Sequence, residues 1–74
     1  MIIFDSTHNK AINVSDLASA HVIISKHYTA VEVITHHHKY HFQLPEENEC
    51  WDLFWKITNN FDAKELIEIE TISE

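Results

Sequence analysis

Polar and apolar positions alternate with a period of two along most of the chain before Pro45 and with a period near 3.6 after it. In the first part, β-branched and aromatic residues predict short strands at Met1–Asp5 and Ala11–Val14. These are joined by the polar turn Ser6–Lys10, with Ser15-Asp16 as a further turn or brief cap. Three more strands are predicted at His21–Tyr28, Ala30–His36 and Lys39–Leu44. With the last hairpin turning at His37-His38, or over His36–Lys39, Thr35 faces Tyr40, Val33 faces Phe42 and Val31 faces Leu44. That register gathers the apolar set on one face. The other face pairs Ile34 with His41 and Glu32 with Gln43, a mixed surface expected to meet water. The chain has no glycine and no Asn-Gly pair, so a tight type I′ turn is strained and the wider loop is favoured.

Beyond Pro45, Cys50, Leu53, Phe54, Ile57 and Phe61 recur at helical spacing, while Asp52, Lys56 and Asn59 point away from that stripe. Glu46, Glu47 and Glu49 fall in the first turn, where the helix dipole favours anions, and Asn59-Asn60 makes a stop. The expected helix runs from Glu46 to Asn60. Ile67, Ile69 and Thr71 then alternate with Glu68, Glu70 and Ile72, which favours a final strand over a second helix spanning Asp62–Ile69. The fold class is α+β: a small antiparallel sheet of four to five strands, one amphipathic helix on one face, and the C-terminal segment returning to the sheet or its edge.

Size changes what function to expect. Seventy-four residues read as one domain, 1–74, with a small core. A pocket of several hundred Å³ is hard to open in such a core, which favours a binding module over an enzyme. The N-terminal residues lack the basic, apolar and small-residue order of a signal peptide, and no apolar run approaches a membrane span, so the expected setting is soluble and cytoplasmic. A single cysteine, Cys50, cannot close an internal disulfide. No cofactor motif is present.

Charge divides the chain. Before Glu46, Asp5, Asp16 and Glu32 are balanced by Lys10, Lys26 and Lys39; after Pro45, nine acids face only Lys56 and Lys64, so the whole net charge of −7 lies there. All seven histidines lie in the neutral part. An acidic field steers a protein toward basic partners and away from nucleic acid. The absence of arginine removes the usual reader of phosphates and guanine edges, and the absence of glycine excludes phosphate loops that need close backbone approach.

Three groups of side chains carry candidate chemistry. His36-His37-His38 with His41 is the densest set of imidazoles. His36, His38 and His41 would be its metal ligands, but the run matches no recognised ligand spacing and is read first as a solvent-facing turn. Cys50 lies within the apolar stripe behind three glutamates, which marks it as structural rather than nucleophilic. Trp51 and Trp55 fall on the helix flank beside Glu47, Glu49 and Asp52, an aromatic anchor rimmed by charge. Together with Glu46, Glu68 and Glu70 they make up the expected partner-binding surface. Its acids form a charged array resembling the phosphate spacing of a nucleic acid.

The expected function is therefore protein binding, with the acidic C-terminal part engaging a basic surface and with no catalytic residue, direct nucleic-acid contact or membrane contact. In size, acidity, low arginine and glycine content and want of a catalytic motif, the chain resembles the small inhibitors that bacteriophages and other mobile elements encode against host defences, including anti-CRISPR proteins. The resemblance implies a bacterial host cytoplasm and blockage of a nucleic-acid-binding site on a host protein, and it transfers no functional residue. A histidine-cluster metal protein and a structural homo-oligomer, such as a homodimer formed through Trp51, Trp55 or an unpaired strand edge, are the alternatives from other classes.

Overall fold

The computed structural model describes residues 1–14, 16–59 and 66–72. Six strands and one helix follow in the order β1 (Ile2–Asp5), β2 (Lys10–Asn13), β3 (Leu17–Ile24), β4 (Thr29–Thr35), β5 (Lys39–Leu44), α1 (Glu47–Asn59) and β6 (Leu66–Ile69). The class is α+β, as the change of period requires. The single sheet expected from the sequence is instead two sheets of three strands, ordered β2-β1-β6 and β3-β4-β5. The pairing is also not wholly antiparallel, because β6 lies parallel to β1, with Ile3 opposite Ile67 and Asp5 opposite Ile69. β1 thus takes its second neighbour from the far end of the chain, and β3 opens a new sheet. Pairing across such a separation leaves no local mark in the sequence.

The β4–β5 hairpin keeps the predicted faces but slides by two residues. Val33 faces Tyr40, Val31 faces Phe42 and Glu32 faces His41. An even slip preserves side-chain parity, so the apolar set stays on one face. The turn is the tight pair His36-His37, so neither a turn at His37-His38 nor the favoured wider loop over His36–Lys39 forms. Thr35 N–H donates to the His38 carbonyl at 2.8 Å, and the Thr35 hydroxyl accepts the His38 N–H at 2.9 Å. The hydroxyl takes up an amide that a glycine turn would leave to the backbone. Among the described residues only Asn9 has a positive φ, 50°, at the end of the β1–β2 turn, where asparagine tolerates the left-handed region. β3 begins and ends four residues earlier than predicted, and Ser25–Tyr28 forms the turn into β4.

Cys50, Leu53 and Ile57 form the buried stripe of α1, which lies over the sheet of β3, β4 and β5 and nearest to β3 and β4. They join Val31, Val33, Phe42 and Leu44 from that sheet and Ile3, Val14, Ile67 and Ile69 from the other side in one cluster of buried side chains. The predicted final residue of the helix, Asn60, and the stripe residue Phe61 lie outside the described residues. Beyond β6 the chain crosses to the second sheet, where Ile72 N–H donates to the Gln43 carbonyl at 2.9 Å on the outer edge of β5. The C-terminal segment therefore returns to a sheet edge, as expected. Among the described residues no helix is long and apolar enough to cross a membrane.

Candidate functional site

Four of the acids singled out by the sequence meet across a groove. α1 forms one wall with Asn48, Glu49, Asp52 and Lys56, and β6 with its extension forms the other with Glu68 and Glu70. Leu44, Leu53, Ile67 and Ile69 supply apolar surface between them. The volume is about 660 Å³, within the range of ligand-sized clefts, so the expectation that a chain this short has little room for such a pocket does not hold; the cleft opens between α1 and β6 rather than within the core. Both walls follow from periodicity. On β6 the odd residues Ile67 and Ile69 turn into the core, which leaves Glu68 and Glu70 exposed. On α1, at about 100° per residue, Glu49, Asp52 and Lys56 share one flank of the buried stripe. Lys56 Nζ lies 3.0 Å from Asp52 Oδ2, an i,i+4 pair that offsets one of the four negative charges.

Trp51 and Trp55 are exposed, 39% and 54%, and do not line the groove, although at about 100° per residue each lies about 60° from a groove residue, Asn48 and Asp52. Phe54 sits between them, with ring centroids 5.7 Å from Trp51 and 5.2 Å from Trp55, both edge-on. The groove is lined by acids without the tryptophans, while the exposed Glu47 and Asp52 stand one turn from Trp51 and Trp55 on the helix surface. Glu46, whose carbonyl accepts the Cys50 N–H at 3.3 Å, and Glu47 are exposed at the helix start and do not line the groove.

The histidines do not converge. His36 Nδ1 lies 2.9 Å from Asp16, the His38 ring lies against Tyr40, and His41 turns to Glu32. Among the described residues no group of three or more histidine, cysteine or acidic side chains is arranged to hold a metal ion. A cluster that the predicted register concealed is built around Glu32. His21 on β3 and His41 on β5 stand directly opposite it, with His21 Nε2 at 2.9 Å, His41 Nδ1 at 3.5 Å and Lys39 Nζ at 3.4 Å from the carboxylate. Partial burial pushes the Glu32 carboxyl up, but the His41 hydrogen bond and the Lys39 and His21 charges outweigh it and hold it below its usual value. Only the slip of two residues brings His41 opposite Glu32, so the intended pairing with Gln43 hid the contact.

A second unforeseen network ties the C-terminal segment to the first hairpin. Asp5, 6% exposed, accepts the Thr71 hydroxyl at 2.7 Å on Oδ2, which also lies 2.8 Å from His8 Nδ1, and it accepts the Thr7 N–H at 3.1 Å on Oδ1. Thr7 Oγ1 donates to the Thr71 carbonyl, and Ser6 N–H to the Ile69 carbonyl. This network fixes the β6 wall of the groove. An aspartate two residues before a threonine amide is a recognisable turn signal, but nothing local points to Thr71.

Cys50 is fully buried. Burial pushes its thiol up, against the hydrogen bond with Thr29, and the charges of Glu49 and Glu47 push the same way. It should therefore stay unreactive toward a water-soluble disulfide reagent in the native protein and react at the rate of global opening. Rapid labelling at neutral pH without denaturant would contradict this placement. Comparison with protein-family models, with curated proteins and with solved structures found no match to this chain.

Proposed function

We propose that the protein is a small binding module whose acidic groove takes a basic, partly apolar segment of another protein, and that it acts by occupying that partner's basic surface. The observation that supports this reading is the convergence of Glu49, Asp52, Glu68 and Glu70, from two elements distant in sequence, around an apolar floor. Carboxylates at the rim draw a cationic partner in and pair with its charges, while the largely buried side chains of the floor add a small apolar contact. A basic surface that binds nucleic acid in a bacterial host protein fits these chemical requirements, and its occupation would inhibit that protein, as the mobile-element inhibitors do.

The test uses a short peptide alternating lysine with leucine and its counterpart with glutamate in place of lysine. The lysine peptide is expected to shift the amide resonances of Asn48, Leu53, Ile67 and Ile69, and to bind more slowly as salt rises. Changing Glu49, Glu68 and Glu70 together to glutamine should slow its association by about tenfold at low salt. An unchanged association rate in the triple variant, or equal binding of the glutamate peptide, would overturn the reading.

A further inference from the structure

A sheet edge is a row of unpaired amides and carbonyls, and natural proteins shield such rows with charge, proline, short strands or cover. Three of the four outer strands here follow that practice. β2 and β6 are four residues long and carry Lys10 and Glu68. β5 carries Lys39 and is covered at Gln43 by Ile72. The outer edge of β3 is different. Its eight residues, Leu-Ala-Ser-Ala-His-Val-Ile-Ile, contain no carboxylate, lysine or proline, and among the described residues β4 is its only neighbour in the sheet.

The direction of its backbone groups follows from the ladder. Ser25 N–H donates to the Tyr28 carbonyl at the turn, and in an antiparallel pair bonded positions recur every second residue. His21 and Ile23 therefore bond to β4, and the amides and carbonyls of Ala20, Val22 and Ile24 point outward. The same counting on β5 turns Gln43 outward, where Ile72 meets it. The irregularity between Leu17 and Ser19 lies before this stretch.

Exposed apolar side chains stand beside this edge. Ile24 is 52% exposed on the face that α1 covers, next to Thr29, whose side chain reaches Cys50. α1 lies close to β3, and its ring cluster Trp51–Phe54–Trp55 is not part of the groove lining. We infer that β3 pairs antiparallel with β3 of a second copy of this chain, with Ile24 and the tryptophan flank of each copy completing the contact.

A second copy fits this surface because an antiparallel strand pair is self-complementary about a two-fold axis. β3 carries no carboxylate or lysine, its His21 is paired with Glu32 of the same protomer at 2.9 Å, and Glu49, Glu68 and Glu70 lie on other elements, so the strand seam itself brings no carboxylates together. Strand pairing needs apolar area beside it to approach the roughly 1,200 Å² of a stable interface, and Trp51, Trp55 and Ile24 offer it. The inference is independent of what fills the groove.

Sedimentation equilibrium of the intact chain, with amide exchange followed by NMR, tests it. The expected result is a mass twice that of the chain at high concentration, with exchange at Ala20, Val22 and Ile24 slowing as concentration rises while His21 and Ile23 stay protected throughout. Ile24→Lys places a repelling charge on each side of the seam, and Trp55→Ala removes the apolar anchor. Both positions are exposed, and each substitution should raise the dissociation constant by at least about tenfold without loosening His21 or Ile23. A chain monomeric at the highest soluble concentration overturns the inference. So does a dimer in which Ala20, Val22 and Ile24 remain unprotected or which Ile24→Lys leaves intact.

Discussion

Asp5→Ala should cost the protein about 2–3 kcal/mol and lower its melting temperature by about 10–20 °C. The substitution removes the acceptor that the Thr71 hydroxyl, the Thr7 amide and the His8 ring share in a nearly dry site. Leaving such donors unpaired costs more than a hydrogen bond adds when it forms. The pH dependence has a definite sign. Burial pushes the Asp5 carboxyl up, but the hydrogen bonds from His8 and Thr71 and the His8 charge overcome it, so the folded-state pKa lies below the ordinary value. A depressed carboxyl contributes stability that is complete above the unfolded-state pKa, near 4, and is lost as pH falls through the folded pKa. Denaturant melts of wild type and variant should therefore differ most above about pH 4 and draw together below it. A gap that stays constant down to pH 2 would assign the loss to packing instead.

Ile57→Ala should be costlier, at about 3–4 kcal/mol, because Ile57 is wholly enclosed between α1 and the sheet and its loss leaves a cavity. A domain of this length holds roughly 4–11 kcal/mol in total, so the variant should lose between about a quarter and nearly all of its stability. Trp55→Ala, half a turn away on the exposed flank, should cost only about 1 kcal/mol in dilute solution, mainly through the edge contact with Phe54. Urea melts at low protein concentration make the comparison. Equal losses at the two positions would mean that the buried stripe of α1 is misassigned.

The sequence discloses what periodicity can carry. Cys50, Leu53 and Ile57 are buried and Trp51 and Trp55 exposed, as their helical angles require, and Lys39–Leu44 is a strand with the stated limits. Parity also put Val31, Val33, Phe42 and Leu44 on one face, although the pairing slid by two, because an even slip leaves parity unchanged. Partner choice was not legible. Nothing local tells Ile3 to lie opposite Ile67, Asp5 to hold Thr71, or β3 to begin a second sheet. The same limit governs the groove: Glu49, Asp52, Glu68 and Glu70 were each recognisable as exposed acids, but their meeting depends on where β6 docks.

The parallel pairing of β1 with β6 also sets an order of assembly. β3, β4, β5 and α1 follow one another and meet through neighbours, whereas Ser6 finds Ile69 and Thr7 finds Thr71 across more than sixty intervening positions. Loop closure over that distance is slow relative to a hairpin. During synthesis β1 must wait for β6, so the sheet-and-helix half should form early and the groove should exist only once β6 has docked.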